Sequence, residues 1–390
     1  MKKLLPILFF VACIKPYNPN LHNPPTGYLV IEGNINSGSI PTVIHLSRTE
    51  PLTDTATEIY ENGATVNIDC SDGTIYNSSP QGNGQYLFPI LTLDTTKTFR
   101  LDIHTSDGNQ YQSDYVPVIP NPPIDSINGI MGSGGMNIYV NTHNPQNNTR
   151  YYQWSYSETW EYHSAQSSVY IYDPVDLLVI PRPDSLQIFT CWNTDSSTGL
   201  LLFSTTKLSS DVVYEFPLIN IPQGNQKLSV EYSVAVSQYG LSEGAYNYLS
   251  LMQSNTENLG SIFDPLPSNL KGNIHCITQP SQTVVGYANA SSTQYLRVFI
   301  QEPYLWDYSY GCEYPDTAIA PNKVLNNWDF TGVQPNPVPI APGGFPYPPP
   351  PGVYIPIDTA APKSGWLSNL NVCIDCRFQG GTTTKPTFWQ

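Results

Sequence analysis

Charge is scarce in this chain of 390 residues, where Asp, Glu, Lys and Arg together make up 12%, about half the usual share. Positive charge is scarcest, with 16 Lys and Arg against 31 Asp and Glu and a formal net charge of −15. Such a chain repels phosphate backbones and anionic headgroups, which argues against nucleic acid as a partner and against a polybasic membrane attachment. Long apolar runs are missing too. The apolar stretch Leu4–Ala12 falls well short of the roughly 20 residues that a spanning helix needs. Also absent are H-E-x-x-H, an EF-hand loop and a Walker loop, and the six His are scattered, so no metal or other cofactor is expected. No internal repeat is evident, and no pair of carboxylates stands out as the acid and base of a glycosidase. What is abundant is Pro (37) and Tyr (27), with Asn, Ser and Thr throughout. A surface that is polar without being ionic is common in exported β-proteins and unlike a cytosolic helical enzyme.

The first residues have the form of an export signal. Lys2 and Lys3 precede the apolar core Leu4–Ala12, and a small residue, Ala12, precedes Cys13, an order of charge, apolar run and cleavage site that marks a signal peptide. The end of that run, Phe10-Val11-Ala12-Cys13, resembles a bacterial lipobox, with Phe10 where Leu is commonest. Residues 1–12 are therefore expected to be removed, leaving a diacylated Cys13 as the first residue of the mature chain and the membrane as a partner through its lipid. Residues 13–26 follow as an extended tether carrying Pro16, Pro19, Pro24 and Pro25. Ile14-Lys15-Pro16, without an acid, follows directly after Cys13.

With Cys13 lipidated, Cys70, Cys191, Cys276, Cys312, Cys373 and Cys376 remain. An even remainder in an oxidising compartment points to structural disulfides, with a connectivity that spacing alone does not resolve. Cys373-Ile374-Asp375-Cys376 matches C-x-x-C, but the βαβ context of a redox pair and the second pair of a zinc site are both lacking.

From Tyr28 the pattern takes period two. Val66, Ile68 and Cys70 share a face, and Phe99, Leu101 and Ile103 alternate with Arg100, Asp102 and His104, as half-buried strands require. Asp72-Gly73 and Asp107-Gly108 fall between such runs and predict hairpins. Residues 27–118 are read as an Ig-like antiparallel β-sandwich of about six or seven strands. Four prolines between 116 and 123 are expected to stop any strand and to mark a domain boundary. Residues 119–390 are read as a larger β-rich domain with one helix near 242–258, Ser242 at its N-cap and Gly260 at its stop, and a Pro-rich loop at 334–356. The expected fold class is mainly all-β.

Several residue groups invite a chemical reading. Gly240-Leu241-Ser242-Glu243-Gly244 matches G-x-S-x-G between a strand and a helix, with Asp264 and His275 downstream. A nucleophile elbow, however, belongs on a parallel sheet flanked by several helices, and an N-cap already accounts for Ser242, so no catalytic residue is expected. Tyr152, Trp154 and Tyr156 share a strand face, with Trp160 and Tyr162 beyond; they either fill a core or offer a stacking surface. Tyr304, Trp306, Tyr308 and Tyr310 lie in a stretch without clean alternation and are the candidate exposed ligand-binding rim. Thr55, Thr95, Ser126, Ser185, Thr317 and Thr359 each follow an Asp and resemble a Bacteroidetes O-glycosylation pattern.

The stretches "GYLVIEGNIN", "VIHLSRT", "YYQWSYSETWEY", "EGAYNYLSLMQSNTENLGSIFDPLPSNLKGNIH", "VVGYANASS" and "CIDCRFQGGTTTKPTFWQ" together resemble the DUF4249 family of Bacteroidetes lipoproteins, in order along nearly the whole mature chain. The resemblance implies an outer-membrane or periplasm-facing lipoprotein without established enzymatic activity, often encoded beside TonB-dependent receptors. The expected function is that of an accessory or binding subunit of an outer-membrane transporter. The alternative is a surface glycan-binding or adhesive module that uses exposed aromatics.

Overall fold

A computed structural model describes residues 27–38, 40–50, 58–173, 178–257, 271–300, 308, 311–312, 317–319, 354–360 and 365–389. The protein is mostly β, built from several sheets and one long helix. The leader, Cys13 and the tether lie outside the described residues, as do Thr55, Asp264, Gly260, Tyr304, Trp306 and Tyr310.

The first sheets follow directly from alternation. Leu29–Glu32 pairs antiparallel with Val43–Arg48, which pairs with Gln85–Leu87. Thr65–Cys70 pairs with Thr98–His104, and that strand with Gln110–Ser113. The inward rows of both sheets, Leu29, Ile31, Ile44 and Leu46 on one and Val66, Ile68, Phe99, Leu101 and Ile103 on the other, form one core. The Asp-Gly turns close their hairpins as expected. Gly73 and Gly108 sit at φ 92° and 85°, a backbone region that only glycine adopts without strain.

This core is not made by residues 27–118 alone. Ile274–Cys276 pairs with Gln110–Ser113, Val285–Gly286 pairs parallel with Leu29–Glu32, and Ile274, Val284, Ala288 and Ala290 enter the same core. Parallel pairing requires the chain to leave and return over a long connection, so it leaves no local trace in the sequence.

The proline-rich segment also differs from expectation, because Val116–Ile119 is a strand. It pairs antiparallel with Phe99 through Val116 and parallel with Ala290 through Val118. It changes neighbours just after Pro117, so the missing N–H falls where the first ladder ends. This strand stands between Thr98–His104 and Ala290–Ile300 in one continuous sheet.

Beyond it, the aromatic strand Tyr151–His163 pairs along its length with Glu231–Gly240, which pairs with Ala290–Ile300. The start of Ala290–Ile300 also runs parallel to Ile35–Gly38, so one strand brings an N-terminal strand beside the aromatic part of the sheet. A three-stranded sheet of Ile124–Gly132, Gly135–His143 and Val212–Pro222 contributes Met136, Ile138, Val140 and Ile221 to a second core, shared with Tyr152, Trp154, Trp160, Tyr162 and Tyr232. Core filling is therefore the role of the aromatic strand. Two of its polar handles find partners inside: Trp154 Nε1 donates to Gln238 Oε1 at 2.9 Å, and the Tyr162 hydroxyl donates to the Cys376 carbonyl at 2.8 Å. Aromatic rings of this kind bury about 150–250 Å² each, worth several kcal/mol apiece by area.

Cys191 is bonded to Cys376 and Cys312 to Cys373. Cys70 and Cys276 are free and buried, which corrects the expectation that they pair. Their strands are separated by Thr98–His104 and Gln110–Ser113. At about 4.8 Å per strand that is roughly 14 Å, twice the reach of about 7 Å between the Cα atoms of a disulfide. The Pro-rich loop ends earlier than expected, since Tyr354–Ala360 is a strand at the edge of a small sheet with a bulge between Pro356 and Asp358. Edges and bulges are the places where a sheet tolerates proline.

Candidate functional site

The helix Glu243–Glu257 begins where the sequence places it. Ser242 Oγ accepts the Ala245 N–H at 3.2 Å and the Ser242 carbonyl accepts the Tyr246 N–H at 2.9 Å, so this serine is the N-cap. His275 stands on the strand Ile274–Cys276, in the first sandwich, with its Nε2 3.5 Å from Asp114 Oδ1. Leu241, Ala245 and Tyr248 are buried at the three- and four-residue spacing of a helix face. The helix lies on the side of the aromatic strand away from the core. The Tyr246 ring packs on Tyr151 with centroids 4.9 Å apart, and Gln253 Nε2 donates to the Leu200 carbonyl at 2.9 Å.

Between this helix, the outward side of Tyr151–His163 and the edge pair of Leu29–Glu32 with Val285–Gly286 runs a cleft of about 530 Å³. Clefts of about 300–1,000 Å³ at the meeting of two structural units are the usual form of a small-ligand site. Its walls are largely aliphatic, with Val30 and Val285 from the sandwich edge, Leu249 and Met252 from the helix, and Leu200 and Leu241 between them, and the rings of Tyr239, Tyr248 and Tyr287 complete the lining. Two glycines let these walls approach. A Cβ on Gly286, at φ 150°, would lie 2.5 Å from the Ile31 carbonyl oxygen, and one on Gly244 would collide with the Tyr287 hydroxyl.

Besides the hydroxyls of Tyr239, Tyr248 and Tyr287, the polar lining holds two sets of side chains. Asn34, Asn36 and Asn289 are committed to the fold. Asn34 Nδ2 donates to Asn36 Oδ1 and Ser291 Oγ, each at 2.9 Å. Asn289 Nδ2 donates to Asn34 Oδ1 at 2.8 Å and its Oδ1 accepts the Ser242 N–H at 3.1 Å. Thr293 Oγ1 donates to Asn36 Oδ1 at 2.7 Å. This network binds the helix start, the first sandwich and the joining strand into one base for the cleft. Gln153 and Ser155 form the other set. They lie on the cleft side of the aromatic strand, and neither side chain is hydrogen-bonded to another described residue. Both are half-buried, so a ligand can reach them.

Among the described residues of the lining Glu32 alone is charged, with 63% of its side chain exposed at the rim. Burial raises the pKa of the Tyr248 phenol and keeps it neutral. Among the described residues no cluster of three or more His, Cys, Asp or Glu side chains is placed to hold a metal ion.

The structure gathers few of the residues singled out by sequence. Tyr308 is half-buried, and the rest of its aromatic cluster lies outside the described residues. Thr95 and Ser185 are exposed and Ser126 is half-buried, on the strand Ile124–Gly132. Thr317 and Thr359 stand on strands of the last sheet. The C-x-x-C cysteines are each bonded to a distant cysteine rather than to each other. The cleft itself was missed. Its signal is present in "YYQWSYS", where Gln153 and Ser155 interleave with rings that go inward, but such residues read as the solvent side of a strand.

Among known families, the model described as Domain of unknown function (DUF4249) matches residues 14–297, which include all of the first core, most of the second and the described walls of the cleft. No curated protein matches the chain.

Proposed function

This chain belongs to the DUF4249 family, and from that premise we propose that it is a non-enzymatic lipoprotein of the cell envelope. In this reading it is a β-built binding subunit, held on the outer membrane by acyl chains on Cys13 and working beside a β-barrel transporter of the TonB-dependent kind. The observation that carries the reading is the run from Lys2 to Pro25: a charged and then apolar leader, a cysteine after a small residue, and a proline-bearing tether directly ahead of the β-body. Each buried methylene contributes about 0.8 kcal/mol, so two or three acyl chains hold a polar body at a bilayer. Confinement to the membrane plane then raises the effective concentration near a membrane partner and lets a weak protein contact suffice. A largely apolar cleft that also presents the polar side chains of Gln153 and Ser155 supports the binding part of the reading. The glycan-binding alternative rests on Tyr304, Trp306 and Tyr310, outside the described residues, and the aromatic strand lends it no surface because its rings lie inward.

Feeding cells a clickable fatty acid tests the anchor. The wild-type chain is expected to take the label and Cys13→Ser to lose it and leave the membrane fraction. An unlabelled wild-type chain overturns the tether. Purification from detergent-solubilised membranes tests the partner, and the absence of a co-purifying barrel at near-stoichiometric yield overturns the transporter role.

A further inference from the structure

We propose that the cleft between the helix Glu243–Glu257 and the aromatic strand binds an uncharged amphiphile, an aliphatic chain carrying a small hydroxylated head. This names a ligand class for the binding subunit proposed above and rests on that reading only in expecting a ligand at all. Three features of the lining select it. Val30, Leu249 and Met252 offer aliphatic surface on facing walls, and the flexible thioether of methionine adapts to a chain rather than to a rigid ring. Gln153 and Ser155 supply an amide and a hydroxyl without partners in the described fold, whereas the nearby asparagines are spent on one another. A head with hydroxyl groups satisfies both, because an amide and a hydroxyl each donate and accept. Among the described residues no Lys, Arg or His lines the cleft and Glu32 stands at its rim, in a chain of net charge −15. An anionic head entering there would be desolvated with no countercharge, which is costly.

The test uses the full chain carrying Cys13→Ser, purified without detergent, and N-phenyl-1-naphthylamine as the probe, a neutral dye that brightens in apolar surroundings. Saturable brightening is expected, reversed by 1-lauroylglycerol, with laurate at least tenfold weaker as a competitor. Met252→Trp from the helix and Ser155→Phe from the sheet fill the cleft from opposite sides and are expected to weaken the probe at least tenfold, with an unchanged far-ultraviolet spectrum. Gln153→Ala removes a partner of the head and is expected to weaken 1-lauroylglycerol while leaving the probe unaffected. The proposal is overturned if the probe does not saturate, if both filled variants brighten it like the parent, or if laurate competes as well as 1-lauroylglycerol. Because the chain tested carries no acyl group, failure here leaves the membrane tether standing, and an unlabelled Cys13 in cells leaves the cleft standing.

Discussion

Cys376 is bonded to Cys191, 185 residues away, while Cys373, one helical turn before it, is bonded to Cys312. The short C-terminal segment is thus fastened twice, once to the strand Thr190–Ser196 beside the aromatic strand and once to the chain before the Pro-rich region. The Tyr162 hydroxyl adds a third attachment through the Cys376 carbonyl. Peptide mapping under non-reducing conditions is expected to return these two bridges, with Cys70 and Cys276 alkylated only after denaturation. Loss of the long bridge in Cys191→Ser is expected to cost about 4 kcal/mol, since cross-linking a long loop restricts the unfolded chain most. A Cys373–Cys376 peptide in the map would contradict this arrangement.

A carboxylate inside the second core calls for its own test. Glu158 is 2% exposed, with Lys227 Nζ 2.5 Å from its Oε1 and the Tyr232 hydroxyl donating to its Oε2 at 2.7 Å. Lys227 also lies over the Trp160 ring, 4.8 Å from the centroid. Removing one partner of such a group strands the other charge, so Lys227→Met is expected to destabilise the fold by about 3 kcal/mol, read from the midpoint of urea unfolding. Pairing it with Glu158→Gln should recover most of that loss, because the stranded charge is gone. A double variant no more stable than the single one would show that the lysine acts through packing on Trp160 instead.

Asp102 gives the first sandwich a pH dependence. Burial pushes its pKa up, but the Gln110 and Gln112 amides and His104 outweigh burial and hold it below the ordinary carboxylate value. Gln110 Nε2 and Gln112 Nε2 donate to Oδ1 at 2.8 and 2.9 Å, and His104 Nε2 lies 3.1 Å from Oδ2. A carboxylate with a depressed folded pKa stabilises the fold above its unfolded pKa, near 4, and loses that stabilisation as pH falls through the folded value. Asp102→Asn is therefore expected to be less stable than the parent at neutral pH, by about 1–3 kcal/mol, with the gap closing below about pH 4. A gap that stays constant from pH 7 to pH 3 would remove the carboxylate from the account.

What the sequence makes legible is whatever is settled within a few residues. The alternation in Thr65–Cys70 and Thr98–His104 places both strands and names their buried faces, and the Asp-Gly pairs place the turns. Partnership across distance is another matter. Ala290–Ile300 runs parallel to Ile35–Gly38 from more than 250 positions away in the chain, and nothing local to either strand records it. The same gap hides the cleft, because Gln153 and Ser155 gain their setting only when the helix and the edge strands arrive from elsewhere. Pro117 misled for a related reason. It weakens a strand in isolation, but here the strand changes neighbours beside it and loses little.

Ser242 separates a structural from a chemical reading of Gly240–Gly244. Its side chain accepts the Ala245 N–H and its own N–H donates to Asn289 Oδ1, so it joins the start of the helix to the network beneath the cleft. Ser242→Ala removes the cap and is expected to cost about 1 kcal/mol, whereas Ser242→Asp keeps a capping oxygen and adds a charge favoured at a helix start, so it should recover most of the loss. An activated nucleophile behaves differently. It would react with a fluorophosphonate probe, and neither substitution would leave that reactivity intact. The expected outcome is that the wild-type chain stays unlabelled while unfolding midpoints rank wild type and Ser242→Asp above Ser242→Ala. Stoichiometric labelling of Ser242 would reverse the assignment and make the G-x-S-x-G match chemical rather than structural.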